Sequence, residues 1–203
     1  MDFLTRQTRD SYEHIAAEYA KRNSGGMSPF LEGMAQKLSN HLGPRSNLLD
    51  IGCGPGYEMS WFEQHGINTV GIDFTTAMID IARTQAKGYL LQMDQRALAF
   101  HDASFDGAWW CASLLHISKM EAPSAISEVR CVLRNGAMMM VSVQQGEGEN
   151  CMESSLGGPP RFFAWYQPEE IRTILQQNGF EVRDTVSTRE NDHDWIALLC
   201  IAR

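Results

Sequence analysis

The sequence predicts an α/β fold: a seven-stranded, mainly parallel sheet with helices on both faces and an antiparallel hairpin at its C-terminal edge. From residue 47 onward, short apolar runs alternate with segments of helical periodicity, which is typical of strand–helix–strand units. Residues 137–145 (AMMMVSVQQ) form a nearly continuous apolar run, as expected of a strand covered on both faces. No helical pattern separates residues 181–187 from 194–202, so these two strands are expected to pair as a hairpin.

Each element is supported by its periodicity or by its flanking residues. Thr75 is suited to cap a helix, Pro168 to begin one, and Asn135-Gly136 to end one. The helices are expected at residues 4–22, 30–42, 57–65, 75–86, 121–136 and 168–180, and the strands at 47–51, 68–73, 88–94, within 105–115, and at 137–145, 181–187 and 194–202.

The composition indicates a single globular domain over residues 1–203. The net charge of −8 provides no general basic field for nucleic acid. The first residues lack the apolar segment of a secretory signal, and no apolar run reaches the roughly 20 residues of a membrane span, so a cytoplasmic location is expected. Five scattered cysteines without a C-x-x-C pair favour neither a disulfide framework nor a metal site.

The stretch "LLDIGCGPGYEMSWF" places an acid near the end of the first strand and three glycines in the loop that follows. Gly52, Gly54 and Gly56 are spaced G-x-G-x-G, and Tyr57 occupies the position of the third glycine of a dinucleotide fingerprint. The loop therefore allows a ligand to approach the backbone closely, but its spacing is not that of a phosphate-binding loop. Asp50 favours a cationic ligand, which disfavours NAD.

Two further acids close the next two strands. Asp73 lies 17 residues beyond Gly56, near the offset at which an acid accepts ribose hydroxyls, and Asp94 ends the third strand. A single Asp at a strand end is often only a turn former. Three of them around a glycine loop favour a nucleoside site.

In this order and spacing, the motifs resemble those of the class I S-adenosylmethionine-dependent methyltransferases, in particular the methyltransferase type 11 / type 25 group. The matching segments, within residues 10–203, are "LLDIGCGPG", "GIDFTTAMIDIAR", "MDQRALAFHDASFDGAWWCASLLHI" and "VLRNGAMMMVSV". One departure is "LRNGA", where the family commonly has a Pro-Gly-Gly turn. This departure concerns a structural turn and not the ligand site.

The resemblance implies a Rossmann-like domain with an N-terminal helical lid (1–43), a cofactor-binding core (44–144) and an acceptor-side loop followed by a helix and hairpin (145–203). S-adenosyl-L-methionine is the implied cofactor: Asp50 shapes its methionine end, Asp73 takes the ribose hydroxyls, and Asp94 with the Gln95 backbone takes the adenine. Phe74 and Met78 either wall the adenine or are plain core residues. The complete implied cofactor set is Asp50, Gly52, Cys53, Gly54, Gly56, Tyr57, Asp73, Phe74, Met78, Asp94, Gln95, Cys111 and Tyr19.

On the acceptor side, His116 follows the fourth strand, where the methyl group should point. It is a candidate general base, with orientation of the loop or cofactor as the alternative. Tyr12 shares a helix face with Tyr19 and is expected either at the acceptor or in the core. Arg161 and Tyr166 lie in a loop-rich stretch, where Arg161 is expected to pair with an acceptor carboxylate or phosphate unless it is solvated.

These observations predict methyl transfer to a small-molecule acceptor by a monomer or homodimer, with no metal, membrane or nucleic-acid partner. The acceptor atom, O, N, S or C, stays open. Two alternatives remain: a protein that binds the cofactor without catalysis, and an RNA methyltransferase, which the charge of −8 disfavours.

Overall fold

The structure is a computed structural model that describes residues 2–203. Its helices are α1 Phe3–Arg22, α2 Pro29–Leu42, α3 Tyr57–Gln64, α4 Thr76–Gln85, α5 Ala122–Val132 and α6 Pro168–Gln177. Its strands are β1 Asn47–Ile51, β2 Asn68–Asp73, β3 Tyr89–Gln92, β4 Phe105–Trp110, β5 Leu133–Gln144, β6 Glu149–Met152, β7 Arg161–Ala164, β8 Phe180–Glu190 and β9 His193–Ala202.

Seven strands form one sheet in the order β3-β2-β1-β4-β5-β9-β8, in which β9 is antiparallel to both of its neighbours. Asn191 and Asp192, both with positive φ, make the tight turn between β8 and β9. The mainly parallel sheet and its C-terminal hairpin confirm the predicted fold. The strand order reverses between β1 and β4, where Asp50 lies in register with Trp109. Ligands of open α/β sheets bind beyond the strand ends at such a point.

The two faces of the sheet are covered by separate apolar cores. Trp109 and Trp110 are adjacent in β4 and point to opposite faces, as the alternation of a strand requires. Trp109 packs with Leu38 of α2 and Phe62 of α3, whereas Trp110 belongs to the cluster that contains Ile126 of α5. This packing fixes the end of β4 from both sides.

Helix α1 is held over the carboxyl edge of the sheet by two polar contacts. The Glu13 carboxylate accepts hydrogen bonds from the backbone nitrogens of Thr76 (2.7 Å) and Ala77 (3.0 Å), which caps α4. Thr8 Oγ1 accepts a bond of 2.9 Å from the backbone nitrogen of Phe162 in β7. None of the helices in residues 2–203 combines the length and hydropathy needed to cross a bilayer.

Two local predictions differ from the structure. Helix α5 ends at Val132 and not at Asn135-Gly136, because Leu133 already pairs with Phe105 as the first residue of β5. The positive φ of Gly136 (84°) instead serves the irregular register between β4 and β5. The stretch predicted to be loop-rich contains a short antiparallel sheet of β6 and β7.

Candidate active site

Three adjoining cavities lie at the carboxyl ends of the central strands and beneath α1. Their volumes are about 270, 90 and 580 Å³, and they are called here the first, second and third cavity. The first and second share Gly52, and the first and third share Tyr19 and Trp195. The second and third share Tyr12 and His116. The cavities thus adjoin one another, and the first and second of them contact the glycine loop.

The glycine loop adopts a conformation that suits residues without a Cβ. Gly52, Gly54 and Gly56 all have positive φ, and a Cβ on Gly52 would lie 2.2 Å from Ser113 Oγ. Asp73 Oδ2 accepts a bond of 3.0 Å from the backbone nitrogen of Gly54, while its Oδ1 accepts from Thr75. Asp73 therefore positions the loop as well as facing the second cavity.

The first cavity contains buried polar atoms without partners in the described part of the chain. Asp50 is only 2% exposed, and its Oδ2 accepts no hydrogen bond. Burial raises the pKa of Asp50 well above its usual range, and the nearby Glu58 and Asp73 carboxylates act in the same direction. The indole Nε1–H of Trp109, next to Asp50 in register, also has no partner. The cavity thus offers both an acceptor and a donor to a ligand.

Most of the cofactor residues predicted for the methionine end line the first cavity. They are Tyr19, Asp50, Gly52, Cys53, Gly54, Tyr57 and Cys111. Gly56 does not line it; this residue is the N-cap of α3, and a Cβ there would meet Ala82 of α4. Glu58 lines the cavity although it was not predicted, and burial raises the pKa of its carboxyl group.

The second cavity is lined by Asp73, Phe74, Asp94 and Gln95, as expected for the adenosine end. Met78 is not among its lining residues and is 2% exposed within α4, which corresponds to the alternative of a plain core residue. Asp73 is the last residue of β2, and Asp94 follows the neighbouring strand β3.

Arg96, which was not predicted, pairs with three acids at this cavity. Its Nη2 lies 2.8 Å from Asp94 Oδ2, and its Nη1 contacts Asp2 (3.1 Å) and Glu121 (3.0 Å). Two oxygens of Asp94 are therefore already engaged by a guanidinium, and Asp2 connects the start of α1 to the same group.

The third cavity contains a chain of three polar side chains. His116 Nδ1 lies 2.7 Å from the carbonyl oxygen of Phe162, which can only accept, so Nδ1 carries the proton of the neutral ring. Nε2 therefore accepts the hydrogen bond of 2.9 Å from the Tyr12 hydroxyl. The same hydroxyl accepts a bond of 3.0 Å from Arg161 Nη1. Burial, with a smaller contribution from the Arg161 charge, lowers the pKa of His116 to about 4, although the hydrogen bond to Phe162 acts in the opposite direction.

Aromatic residues form much of the remaining wall of the third cavity. Phe163 and Trp165 have nearly parallel rings (12°) with centroids 6.2 Å apart, and Trp195 also lines the cavity. Tyr166, predicted to contact the acceptor, is instead fully buried in the main core and does not line this cavity. Its backbone direction accounts for this, because alternate residues of an extended segment point to opposite sides.

Comparison with known proteins finds similarity to methyltransferases. A sequence profile described as "Methyltransferase domain" matches residues 49–141. The O-methyltransferase cnsE of Penicillium expansum is 26% identical over 179 residues, which cover 79% of this chain and 63% of that protein. The malonyl-(acyl-carrier protein) O-methyltransferase of Erwinia pyrifoliae is 34% identical over 116 residues, or 53% of this chain and 41% of that protein. The chain thus spans less than two thirds of the length of these relatives.

The fold is also similar to that of a solved structure of a SAM-dependent methyltransferase from Methanosarcina mazei. The TM-score is 0.75 at 20% identity, and the match covers 87% of this chain and 98% of that one. The profile match contains the glycine loop and the acids that follow it, and the fold places them at the switch point of the sheet. Residues 49–141 thus match a methyltransferase domain family, within a fold similar to that of solved SAM-dependent methyltransferases.

Proposed function

We propose that this protein transfers a methyl group from S-adenosyl-L-methionine to an oxygen of a small-molecule acceptor. One observation carries the proposal: the first cavity, which contains an unpartnered buried carboxylate, adjoins the third cavity, which contains a neutral imidazole. Relatives named O-methyltransferases support oxygen as the acceptor atom.

The residues of the first two cavities fit the cofactor. A ligand ammonium would supply the partner that Asp50 Oδ2 lacks, and a ligand carboxylate would accept from Trp109 Nε1. Asp73 faces the second cavity at the end of β2, suited to ribose hydroxyls, and Phe74 lies beside it. When bound, the cofactor would supply a methyl group on a positively charged sulfur, which would be the leaving group of the transfer.

The chain's own contribution to the reaction is alignment and proton removal. A hydroxyl acceptor in the third cavity must lose its proton as it attacks. The Tyr12 side chain lines this cavity, and its own proton already points to His116 Nε2. The acceptor proton therefore passes to Tyr12 as the Tyr12 proton passes to His116. Arg161 stabilises the negative charge that develops on the Tyr12 oxygen.

The geometry favours a small acceptor over a macromolecule. Helix α1 and the β6–β7 region cover the third cavity, whose volume of about 580 Å³ is that of a typical small-molecule site. The net charge of −8 would oppose the approach of RNA.

All five cysteines are free, which is typical of a reducing compartment and supports a cytoplasmic location.

Calorimetric titration with S-adenosylhomocysteine tests the cofactor assignment. The parent protein should bind it, and Asp50→Asn should weaken binding at least tenfold, since a charge-assisted hydrogen bond contributes roughly 1.5–3 kcal/mol. Asp80→Asn is the matched control, because Asp80 is an exposed acid of α4 that pairs with Arg83. Absence of binding to the parent protein, or equal affinities for all three proteins, would contradict the proposal. Release of S-adenosylhomocysteine with small hydroxylated acceptors tests the transfer itself.

A further inference from the structure

The third cavity contains a guanidinium that no acid of the described chain neutralises. Arg161 is the one Lys or Arg among the described residues that line this cavity, and it forms no ion pair with a carboxylate in residues 2–203. Its Nη1 donates to Tyr12, but its Nε–H is buried and has no hydrogen-bond partner. A buried N–H of a charged group without an acceptor is unfavourable, so this edge is suited to an acceptor atom of a ligand.

We propose that the acceptor molecule is a planar hydroxylated aromatic acid, whose carboxylate binds Arg161 and whose ring lies among Phe163, Trp165 and Trp195. This inference rests on the proposed function and specifies its substrate class. Every group that it uses lines the third cavity.

The charge balance of the cavity favours a single carboxylate over a phosphate. Only one cationic side chain of the described residues faces the ligand, and its neighbours Tyr12 and His116 are neutral near pH 7. The exposed carboxylate of Glu153 lies on the wall and would repel a dianion more strongly than a monoanion. The planar fork of a guanidinium also matches the geometry of a carboxylate.

The walls favour a flat ring. The Arg161 guanidinium lies near two aromatic rings, with its Cζ 5.0 Å from the Tyr12 centroid and 5.4 Å from the Phe163 centroid. Phe163 in turn lies nearly parallel to Trp165. A planar acceptor can continue this arrangement by offset stacking, which a branched aliphatic acid cannot do as well.

The position of the hydroxyl follows from the hydrogen-bond chain. The Tyr12 hydroxyl connects Arg161 to His116, with hydrogen bonds of 3.0 Å to Arg161 Nη1 and 2.9 Å to His116 Nε2. A carboxylate held by Arg161 therefore places the rest of a small ring beside the proton-accepting pair. A ring hydroxyl close to the carboxylate would meet Tyr12 without further movement of the chain.

Binding of matched ligand pairs tests this inference without methyl transfer. The probes are hydroxylated benzoic, cinnamic and naphthoic acids, each paired with its primary amide, which has the same shape and no charge. Quenching of the tryptophan fluorescence of the full chain, to which Trp165 and Trp195 of the cavity contribute, measures the dissociation constants at saturating S-adenosylhomocysteine. At least one acid should bind about tenfold or more tightly than its amide, as expected for a charge-assisted contact.

Two variants test whether Arg161 is responsible for the preference for the acid over the amide. Arg161→Gln should reduce the acid-to-amide preference to less than twofold, while Arg22→Gln should leave it unchanged. Arg22 is the matched control because it is an exposed arginine that contacts Ser155 at the rim of the same cavity. The parent protein's preference needs no variant, so poor folding of Arg161→Gln would not remove the test.

Equal affinities for acids and amides, a preference retained in Arg161→Gln, or no binding of any pair would overturn the inference. Each of these results would leave the S-adenosylhomocysteine titration and the transfer assay unaffected. Failure of the substrate class is therefore distinguishable from failure of the proposed function.

Discussion

Replacement of His116 by Asn should make the protein less sensitive to acid. In the folded chain, burial lowers the pKa of His116 from 6.5 to about 4, with the Arg161 charge acting in the same direction. The unfolded chain binds a proton at this residue below about pH 6.5, whereas the folded chain binds it only near pH 4. Stability is therefore lost as the pH falls through this window and is fully present above it.

The size of the effect follows from the two pKa values. One pKa unit corresponds to about 1.4 kcal/mol, so the difference between 6.5 and about 4 gives a loss of about 3 kcal/mol between pH 7 and pH 4. Water that enters the adjoining cavity reduces this figure, so it is an upper bound. Asn is the suitable replacement because its amide keeps a donor close to the position of Nδ1, facing the Phe162 carbonyl, and does not titrate.

Urea denaturation followed by tryptophan fluorescence, at pH values from 4 to 7.5, measures the free energy of unfolding of the parent and of His116→Asn. The buried acids titrate in both proteins, so they cancel when one curve is subtracted from the other. The variant should lose up to about 3 kcal/mol less than the parent over this range. His101→Asn is the control, because His101 is exposed. Parallel curves for the parent and His116→Asn would refute the buried, neutral imidazole.

Three further predictions concern the loop and α1. Gly52→Ala should destabilise the fold by about 1–3 kcal/mol more than Gly54→Ala in urea denaturation, because both glycines have positive φ but only the Gly52 Cβ meets Ser113. Glu13→Gln should weaken the cap of α4 by about 1 kcal/mol, detected as faster amide exchange at the first turn of that helix. Tyr12→Phe should lower turnover at least tenfold while S-adenosylhomocysteine affinity, by calorimetry, stays within about threefold.

The sheet was predictable because its signals are local and repeated. The alternation of short apolar runs and helical patterns gave the strand number, and the uninterrupted step between the last two strands gave the hairpin. The end of α5 was not predictable in this way. Asn135-Gly136 is a common helix stop, but pairing of Leu133 with Phe105 forms a strand three residues earlier, and that contact is distant in sequence.

The same distinction between local signals and contacts distant in sequence applies to the candidate site. Asp50, Asp73 and Asp94 could be predicted to face one ligand because each lies at or just beyond a strand end, where parallel strands bring residues together irrespective of loop conformation; they line the first and second cavities. Arg96 was missed because its three acidic partners come from separate segments. Glu58 could have been predicted, because it is an acid in the first turn of the helix that follows the glycine loop.

Helix α1 is the element that connects the cofactor side to the acceptor side. Tyr12 lines both the second and the third cavity, and its hydroxyl is the one link between Arg161 and the His116 ring. Glu13 and Asp2 hold α1 in this position through contacts with α4 and with the guanidinium beside Asp94. The hydrogen-bonded path from the third cavity to His116 therefore depends on the position of α1 over the site, because Tyr12 belongs to this helix.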